Sequence, residues 1–228
     1  MGFEEYYTVI KAYSDIHSNE YKKRIETLEP LLLKHMTTRG KVLDLACGAG
    51  GFSFLLEDLG FDVVALDSSE SMLERAREFA KDKNSRVEFV KGDAKSIPFE
   101  NNSFEYVIFI DSLVHFEAAE LNAVFKEIAR VLKPGGKFIL YFTDLRELLP
   151  ILMGGQVVGD NYWISKVLPD PEEKTALIEF QSESNHFRVR FNVWGTIAVE
   201  LLAKRYFRQL HSEKLNKHSY FQVYTPKK

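Results

Sequence analysis

Four short stretches of this chain place acidic side chains beside small residues, a combination that could hold a nucleotide-like ligand. The first reads VLDLACGAGG and carries Asp44 shortly before a glycine turn. The others are Asp67 in VVALDSS, the run Gly92-Asp93-Ala94 and the run Ile110-Asp111-Ser112. Each stretch closes an apolar run of strand length, so we interpret all four as the carboxyl ends of buried strands. Ligands of open α/β sheets bind at such strand ends.

The residue types indicate which part of a ligand each stretch could bind. Gly48 and Gly50 allow a ligand to lie against the main chain, and the helix predicted next would point its free N–H groups at the same place. Asp67 could accept hydrogen bonds from both hydroxyls of a ribose, and it follows the glycine turn at the spacing of about 20 residues that suits this role. Asp93 and the next backbone N–H could bracket an adenine edge.

Asp44 is the residue that separates two kinds of ligand. A dinucleotide-binding strand usually carries only apolar residues at this point, and a carboxylate there would repel a pyrophosphate lying on the turn. The same carboxylate suits a cationic ligand. The sequence therefore favours a protein that binds a cationic ligand, and a nicotinamide-dependent reductase is the weaker alternative.

The single cysteine, Cys47, lies inside the glycine turn. One cysteine cannot form an internal disulfide, and we predict no metal site. No histidine lies near Cys47 in the sequence, so a small buried thiol is favoured over a catalytic nucleophile.

Strands and helices alternate from residue 40 onward, which predicts how the four stretches are brought together. The predicted strands are Lys41–Ala46, Phe61–Asp67, Val87–Gly92, Tyr106–Asp111 and Lys137–Thr143. The predicted helices are Gly51–Leu59, Ser69–Lys81 and Ala118–Leu132, the last followed by a turn at residues 133–136. This alternation predicts right-handed crossovers and a Rossmann-like, doubly wound α/β sheet.

The chain divides into four parts on the same pattern. Residues 1–39 form a predicted N-terminal helical cap, and residues 40–144 form the sheet core. Residues 145–194 break the alternation and predict a small α+β insertion after the fifth strand. Its predicted elements are a helix at Leu145–Met153 and antiparallel strands at Tyr162–Leu168, Thr175–Phe180 and Phe187–Val193, with turns at residues 169–171 and 182–185. Residues 195–228 complete the core with a final helix, Thr196–Phe207, and strands, the last of them Tyr220–Thr225.

Five stretches in this order resemble the class I S-adenosylmethionine-dependent methyltransferases, in the broad methyltransferase-domain group that acts on small molecules. They read VLDLACGAGG, VVALDSSESMLERAR, VEFVKGDAKSIPF, FEYVIFIDSLVHF and VLKPGGKFIL. The resemblance covers about residues 40–143. It implies S-adenosylmethionine as the cofactor and a seven-stranded sheet whose last strand lies antiparallel beside the sixth. One departure is Ala46, which stands where the family usually has the first glycine of the turn.

The resemblance also implies roles for individual residues. The turn Ala46–Gly50 would pass under the methionine part of the cofactor, and Asp44 would hold that turn and the amino group. Asp67 would bind the ribose, Asp93 the adenine, and residues 111–115 would line the methyl-transfer site. The predicted cofactor-binding residues are Asp44, Ala46, Cys47, Gly48, Gly50, Asp67, Ser68, Met72, Gly92, Asp93, Ala94, Ile110, Asp111 and Ser112.

The expected reaction is in-line displacement of the sulfonium methyl by a nucleophile of the acceptor, a small molecule that the sequence does not identify. His115 is the candidate catalytic base, because it follows the fourth strand and histidine titrates near neutrality. A partly buried histidine at the start of the next helix is the alternative. Tyr13 or Tyr21 could cover the cofactor as a lid or pack on the sheet edge. The insertion could form a lid over the acceptor or a dimerisation or capping element, and its aromatic residues are Trp163, Phe187 and Trp194.

Two further functions stay open. The formal net charge of −3 gives no general case for nucleic-acid binding, although residues 196–228 are richer in Lys and Arg than in Asp and Glu. IDSLVHF stands after the fourth strand in place of an Asn-Pro-Pro-Tyr type of motif, which argues against nucleobase amines. Methylation of RNA or protein, and cofactor binding without catalysis, are the alternatives. We expect no membrane segment and no secretory signal, hence a cytoplasmic protein, either monomer or homodimer.

Overall fold

The computed structural model describes residues 19–144, 146, 157–158, 162–170, 172, 174–181 and 186–227. In this part of the chain the helices are α1 Asn19–His35, α2 Gly51–Asp58, α3 Glu70–Lys83, α4 Ala118–Val131 and α5 Thr196–Ala203. The strands are β1 Lys41–Leu45, β2 Asp62–Asp67, β3 Glu88–Lys91, β4 Phe104–Ile110, β5 Leu132–Thr143, β6 Val157–Val158, β7 Tyr162–Asp170, β8 Thr175–Gln181, β9 His186–Asn192, β10 Phe207–Lys214 and β11 Ser219–Pro226. A short 3-10 turn, Leu113–His115, follows β4.

Seven of these strands form one sheet in the order β10-β11-β5-β4-β1-β2-β3. The strands from β3 to β5 pair in parallel, and β11 runs antiparallel between β5 and β10. This confirms the predicted doubly wound sheet of seven strands with an antiparallel last strand. The strand order reverses beside β1, which pairs with β2 on one side and with β4 on the other. Ligands of such sheets bind at this reversal point.

Helices cover both faces of the sheet. Successive side chains of a strand point to opposite faces, so an apolar strand needs apolar partners on both sides. Val42 of β1 belongs to an apolar cluster with Leu28 of α1 and Leu56 of α2. The next residue, Leu43, belongs to a second cluster with Phe125 of α4. β1 is therefore buried on both faces, and its carboxyl end is the part that opens toward a ligand.

The insertion contains a second sheet in the order β6-β7-β8-β9, antiparallel throughout. Ile164, Ala176, Ile178 and Val189 are buried on one of its faces. The prediction of an antiparallel insertion after the fifth strand is confirmed. The predicted helix Leu145–Met153, apart from Arg146, and the predicted turn at residues 182–185 lie outside the described residues.

The end of the chain differs from the prediction at one element. The helix expected to reach Phe207 ends at Ala203, and Phe207 begins β10, a strand of the predicted seven-stranded sheet to which the sequence assigned no residues. The half-buried positions of β10 after Phe207 are the polar residues Gln209, His211 and Glu213, which alternate with exposed ones. An apolar alternation is therefore missing from β10 itself.

Two predicted turns lie inside strands. Residues 133–136 belong to β5, where Gly135 has a φ of 80° and the pairing with β4 shifts register between Phe104 and Tyr106. The predicted turn is therefore an irregularity within the pair of β4 and β5. Pro169 belongs to β7 and pairs with Ala176 of β8. Among the described strands, β6 pairs only with the first residues of β7, so Pro169 occupies an edge, where proline is tolerated.

The described residues lack two features. None of their helices combines the length and the apolar composition that a membrane span requires. Within the same residues, no three His, Cys, Asp or Glu side chains are grouped so that they could hold a metal ion. The cytoplasmic location stays a prediction.

Candidate cofactor site

The turn between β1 and α2 takes backbone conformations that leave one of its faces open. Ala46, Gly48 and Gly50 have φ angles of 56°, 55° and 81°, all in the left-handed region. Glycine adopts this region without strain, whereas the Cβ of Ala46 costs about 1–2 kcal/mol there. The Gly50 N–H donates to the Cys47 carbonyl at 3.0 Å and closes the turn. A Cβ built on Gly48 would meet no atom within 4 Å, so a ligand can approach the main chain here.

Asp67, at the end of β2, ties this turn to the start of α3. Its carboxylate accepts hydrogen bonds from the Gly48 N–H at 2.8 Å and from the Ser69 N–H at 2.9 Å. Ser69 in turn caps α3 by accepting from the Met72 N–H. Two backbone donors therefore fix the orientation of the Asp67 carboxylate.

The strand ends surround one cavity of about 350 Å³. A cavity of this size falls in the range of small-molecule sites. Its walls come from the segments after β1, β2, β3 and β4, with further residues from α1 and α4. The predicted site residues that line it are Ala46, Cys47, Gly48, Asp67, Ser68, Met72, Gly92, Asp93, Ala94, Ile110, Asp111, Ser112 and His115.

Asp44 and Gly50 are the predicted residues that do not line the cavity. Asp44 is 3% exposed and accepts a hydrogen bond from the Ser53 hydroxyl at 2.6 Å. Burial raises the pKa of Asp44 to about 7, although the Ser53 hydrogen bond lowers it, and the nearby charge of Asp67 adds to the rise. Gly50 is buried where a Cβ would lie 2.9 Å from the Phe89 ring. Asp44 can therefore influence a ligand through its charge and through its hydrogen bond to α2.

Sequence reasoning missed Arg24, Lys95 and Glu120, which also line the cavity. Lys95 donates to the Glu120 carboxylate at 2.6 Å. Tyr21 lines the cavity too, beside Arg24 on α1, whereas Tyr13 lies outside the described residues. The Tyr21 hydroxyl would lie 2.1 Å from a Cβ on Gly51. Glycine at this position therefore lets α1 dock directly against the start of α2.

Comparison with known proteins assigns a family to this arrangement. A sequence profile of the methyltransferase domain matches residues 42–136, from β1 into β5. The demethylmenaquinone methyltransferase of Lactococcus lactis is 40% identical over 179 residues, which cover 69% of this chain and 70% of that enzyme. The sterol 24-C-methyltransferase of Schizosaccharomyces pombe is 41% identical over 104 residues, which cover 44% of this chain and 27% of that protein. This chain thus spans about a quarter of the length of the sterol methyltransferase that it matches.

Two solved structures are similar to this chain in fold. The crystal structure of the PH0226 protein from Pyrococcus horikoshii is 65% identical, covers 98% of this chain and 99% of that chain, and superposes with a TM-score of 0.91. An S-adenosylmethionine-dependent methyltransferase from Clostridium acetobutylicum has the same fold at 18% identity, with a TM-score of 0.75 over 98% of this chain and 97% of that chain. This chain belongs to the class I S-adenosylmethionine-dependent methyltransferases. The cofactor of this family is S-adenosylmethionine, as the resemblance implied.

In this methyltransferase, α1 and the end of β4 meet at the cavity through an ion pair. Arg24 Nη1 lies 3.1 Å from Asp111 Oδ2. Burial raises the pKa of Asp111, and the charge of Arg24 opposes that rise. Asp111 has a φ of 53°, a backbone strain of the kind that concentrates at ligand sites. The pair places one cation and one anion on the wall of the methyltransferase cavity.

His115 reaches the cavity from the 3-10 turn after β4. Burial lowers the pKa of His115 to about 4, so the imidazole is neutral at neutral pH. A neutral imidazole can accept a proton, but a pKa this low makes it a weak general base. The methyltransferase therefore presents His115 to the cavity as an uncharged group.

The Cys47 thiol is the other group on the wall with possible reactivity. Burial raises the pKa of Cys47, and the charges of Asp44 and Asp67 raise it further. The thiol stays protonated at neutral pH and is a poor nucleophile. The raised pKa agrees with the interpretation of Cys47 as a thiol without a nucleophilic role, although the residue is half-buried on the cavity wall.

Proposed function

We propose that this protein transfers a methyl group from S-adenosylmethionine to a small, largely apolar molecule. The observation that carries the proposal is the convergence of the ends of β1, β2 and β4 and the loop after β3 on one cavity. The relatives named above act, by their names, on a sterol and on demethylmenaquinone. Those names support a small apolar acceptor for this chain as well.

The cavity fits S-adenosylmethionine in shape and in charge. The open face of the turn at Gly48 leaves room for a ligand against the main chain. The cofactor carries a sulfonium, an ammonium and a carboxylate. Asp67 and Asp111 supply negative charge on the wall, Asp44 supplies it from the buried strand, and Arg24 supplies a positive charge.

Each part of the cofactor has a matching group among these residues. We assign the ribose hydroxyls to Asp67, whose carboxylate is oriented by two backbone N–H donors. The adenine is assigned to Asp93 and the Ala94 N–H, and the ammonium to the Ile110 backbone. The carboxylate is assigned to Arg24, because a guanidinium suits paired hydrogen bonds with a carboxylate.

The chain itself contributes mainly orientation and exclusion of water. S-adenosylmethionine supplies a methyl group that its positive sulfur activates for in-line displacement. Alignment of the acceptor with this methyl is the task left to the protein. Phe116 and Tyr21 give the cavity an apolar border. His115 faces the acceptor as a neutral imidazole that can accept its hydrogen bond or proton.

The lid over the acceptor is assigned to the insertion, residues 145–194. Asn192 and Trp194 at its end donate hydrogen bonds to the backbone beside His115. This contact supports a role of the insertion in acceptor choice. The helical cap, residues 1–39, would close the cofactor side through Tyr21 and Arg24.

Calorimetric titration with S-adenosylmethionine and S-adenosylhomocysteine tests the cofactor half of the proposal, which requires both to bind. Incubation with S-adenosylmethionine labelled in the methyl group tests the acceptor half, with quinols, phenols and sterols offered alongside total RNA and protein extract. Label in a solvent-extractable small molecule supports the proposal. Label found only in RNA or protein would refute it, and cofactor binding without any transfer would indicate a non-catalytic binding protein.

A further inference from the structure

The insertion leaves and rejoins the core at one buried point, which we call the root. Asp144, directly after β5, is 1% exposed. Its carboxylate accepts hydrogen bonds from Arg146 Nη2 at 2.9 Å and from the Thr196 N–H at 3.1 Å. A Cβ on Gly195 would lie 1.7 Å from Arg146 Cζ, so the two chain segments touch. Both ends of the insertion are therefore tied to the same carboxylate.

Close to the root, two side chains of the insertion reach the turn that carries His115. Asn192 Nδ2 donates to the Val114 carbonyl at 3.2 Å, and Trp194 Nε1 donates to the Phe116 carbonyl at 3.0 Å. These carbonyls belong to the residues on either side of His115. Val114 lies in the 3-10 turn and Phe116 directly follows it, where the end of a helical turn leaves carbonyls without partners inside the turn. The two donors, which we call the clamp, satisfy them.

We propose that Asn192 and Trp194 are positioning residues that fix His115 at the acceptor side of the cavity. This inference rests on the proposed function and deepens it, because it links the insertion to the methyl-transfer site. Trp194 directly precedes Gly195 at the root and also packs on the apolar cluster that contains Leu43 and Phe125. It has little freedom to move relative to the core. The clamp therefore holds the turn that carries His115 in a fixed position against the end of the insertion.

His115 itself reports on the state of the clamp. Burial is what lowers its pKa. The clamp consists of neutral groups, so its loss would change the pKa of His115 through exposure and not through a new charge. The charged side chains that line the same cavity are Arg24, Asp67, Asp93, Lys95, Asp111 and Glu120, and the clamp variants leave all of them in place.

The test is an NMR titration of the His115 imidazole, with its signal assigned by its loss in His115→Gln. Trp194→Phe removes the indole N–H and keeps a ring, and Asn192→Ala removes the other donor. We expect the double variant to raise the pKa of His115 by about one unit or more, a tenfold gain in proton affinity, because the imidazole becomes exposed. Ser165→Ala is the matched control, since it removes a side-chain bond to the Glu179 carbonyl within the insertion. It should leave the His115 pKa unchanged.

An unchanged or lower His115 pKa in the folded double variant would overturn the inference. If circular dichroism shows that the double variant is unfolded, Trp194→Phe alone carries the test, with the same expected direction and the same refuting result. Calorimetry of the wild-type protein with S-adenosylhomocysteine runs in parallel. Absence of binding there refutes the proposed function, whereas the His115 titration judges the clamp.

Discussion

Replacing Asp44 by Asn separates the cost of burying a carboxylate from the benefit of placing one near a cationic cofactor. Burial raises the pKa of Asp44 from its ordinary 3.8 to about 7, despite the hydrogen bond from Ser53. Asn has the same size and keeps an oxygen that can accept this hydrogen bond. The substitution therefore removes the ionisation and preserves the shape of the site.

The free energy of unfolding should respond to pH differently in the two proteins. Between the unfolded and folded pKa values of Asp44, the folded state binds a proton that the unfolded state lacks, so wild-type stability falls as pH rises. This stabilisation is complete below pH 3.8 and is lost as pH rises through about 7. Three pKa units correspond to about 4 kcal/mol, of which about 3 kcal/mol falls between about pH 5 and about pH 8. Asp44→Asn should gain that amount relative to wild type, because its side chain does not ionise.

Unfolding in guanidinium chloride at both pH values, followed by tryptophan fluorescence, measures this change. Effects of the Asn amide that do not depend on pH cancel when the wild-type-to-variant difference is compared between the two pH values. Asp62→Asn is the control, since it removes an exposed carboxylate at the start of β2 and should produce no such change. An equal wild-type-to-variant difference at both pH values would refute the raised pKa of Asp44.

The Asp44→Asn substitution should lower the affinity for the cofactor while it raises the stability of the protein. At about pH 8 the ionised Asp44 attracts the positive charges of S-adenosylmethionine, so Asp44→Asn should bind it about tenfold or more weakly. Wild-type affinity should also rise between about pH 6 and about pH 8 as Asp44 ionises. A variant that is more stable yet binds less well would show a site that holds an unfavourable charge for function. Unchanged affinity would mean that Asp44 does not select a cationic ligand.

Three further substitutions probe the cavity and the root. Gly48→Ala should cost about 1–2 kcal/mol in denaturant unfolding and strongly weaken S-adenosylhomocysteine binding in calorimetry, whereas Gly135→Ala, with a φ of 80° and equally open space, should cost similar stability and leave binding intact. Arg24→Gln should weaken binding about tenfold by the same assay, and Lys22→Gln, exposed on the same helix, should not. Gly195→Ala should lower the thermal midpoint, because the Arg146 guanidinium must move aside and give up its hydrogen bond to Asp144; an unchanged midpoint would show that this bond does not stabilise the root.

The strand ends could be predicted from the sequence because their signals are local. Asp67, Asp93 and Asp111 each follow an apolar run, and parallel strands end at a common edge. A linear pattern is therefore enough to place them in one cavity. Their individual contacts with the cofactor stay predictions.

The part played by Arg24 of α1 could not be predicted, because it depends on a contact between distant segments, although Tyr21 was a candidate lid residue. Helical periodicity shows that Tyr21 and Arg24 share a face, since residues three apart are neighbours on a helix. It does not show that this face would meet Asp111, far along the chain. The fit of Tyr21 against Gly51 is likewise a tertiary contact that a sequence pattern does not record.

The strand β10 was missed for another physical reason. Its half-buried side chains after Phe207 are polar and find partners both within the strand, where the His211 ring nitrogen lies 3.1 Å from the Glu213 carboxylate, and in other elements. Gln209 donates to Glu200 of α5 at 3.4 Å, and the His211 ring lies 4.6 Å from that of His35 at the end of α1. An edge strand stabilised in this way lacks the apolar alternation by which strands are recognised.

Because both ends of the insertion meet at the root, the insertion is a unit that can be exchanged. The Asp144 N–H donates to the His218 carbonyl at 2.7 Å, which anchors the root to the hairpin of β10 and β11, whereas its carboxylate holds Thr196. Within the insertion, Asn192 and Trp194 bond to the core turn beside His115, and Arg146 bonds to Asp144. We expect that residues 147–191 can be exchanged for a different segment without loss of the core sheet, provided that the residues of the root and the clamp are retained. Chimaeras that keep the root and the clamp are the direct route to methyltransferases with new acceptors on this scaffold.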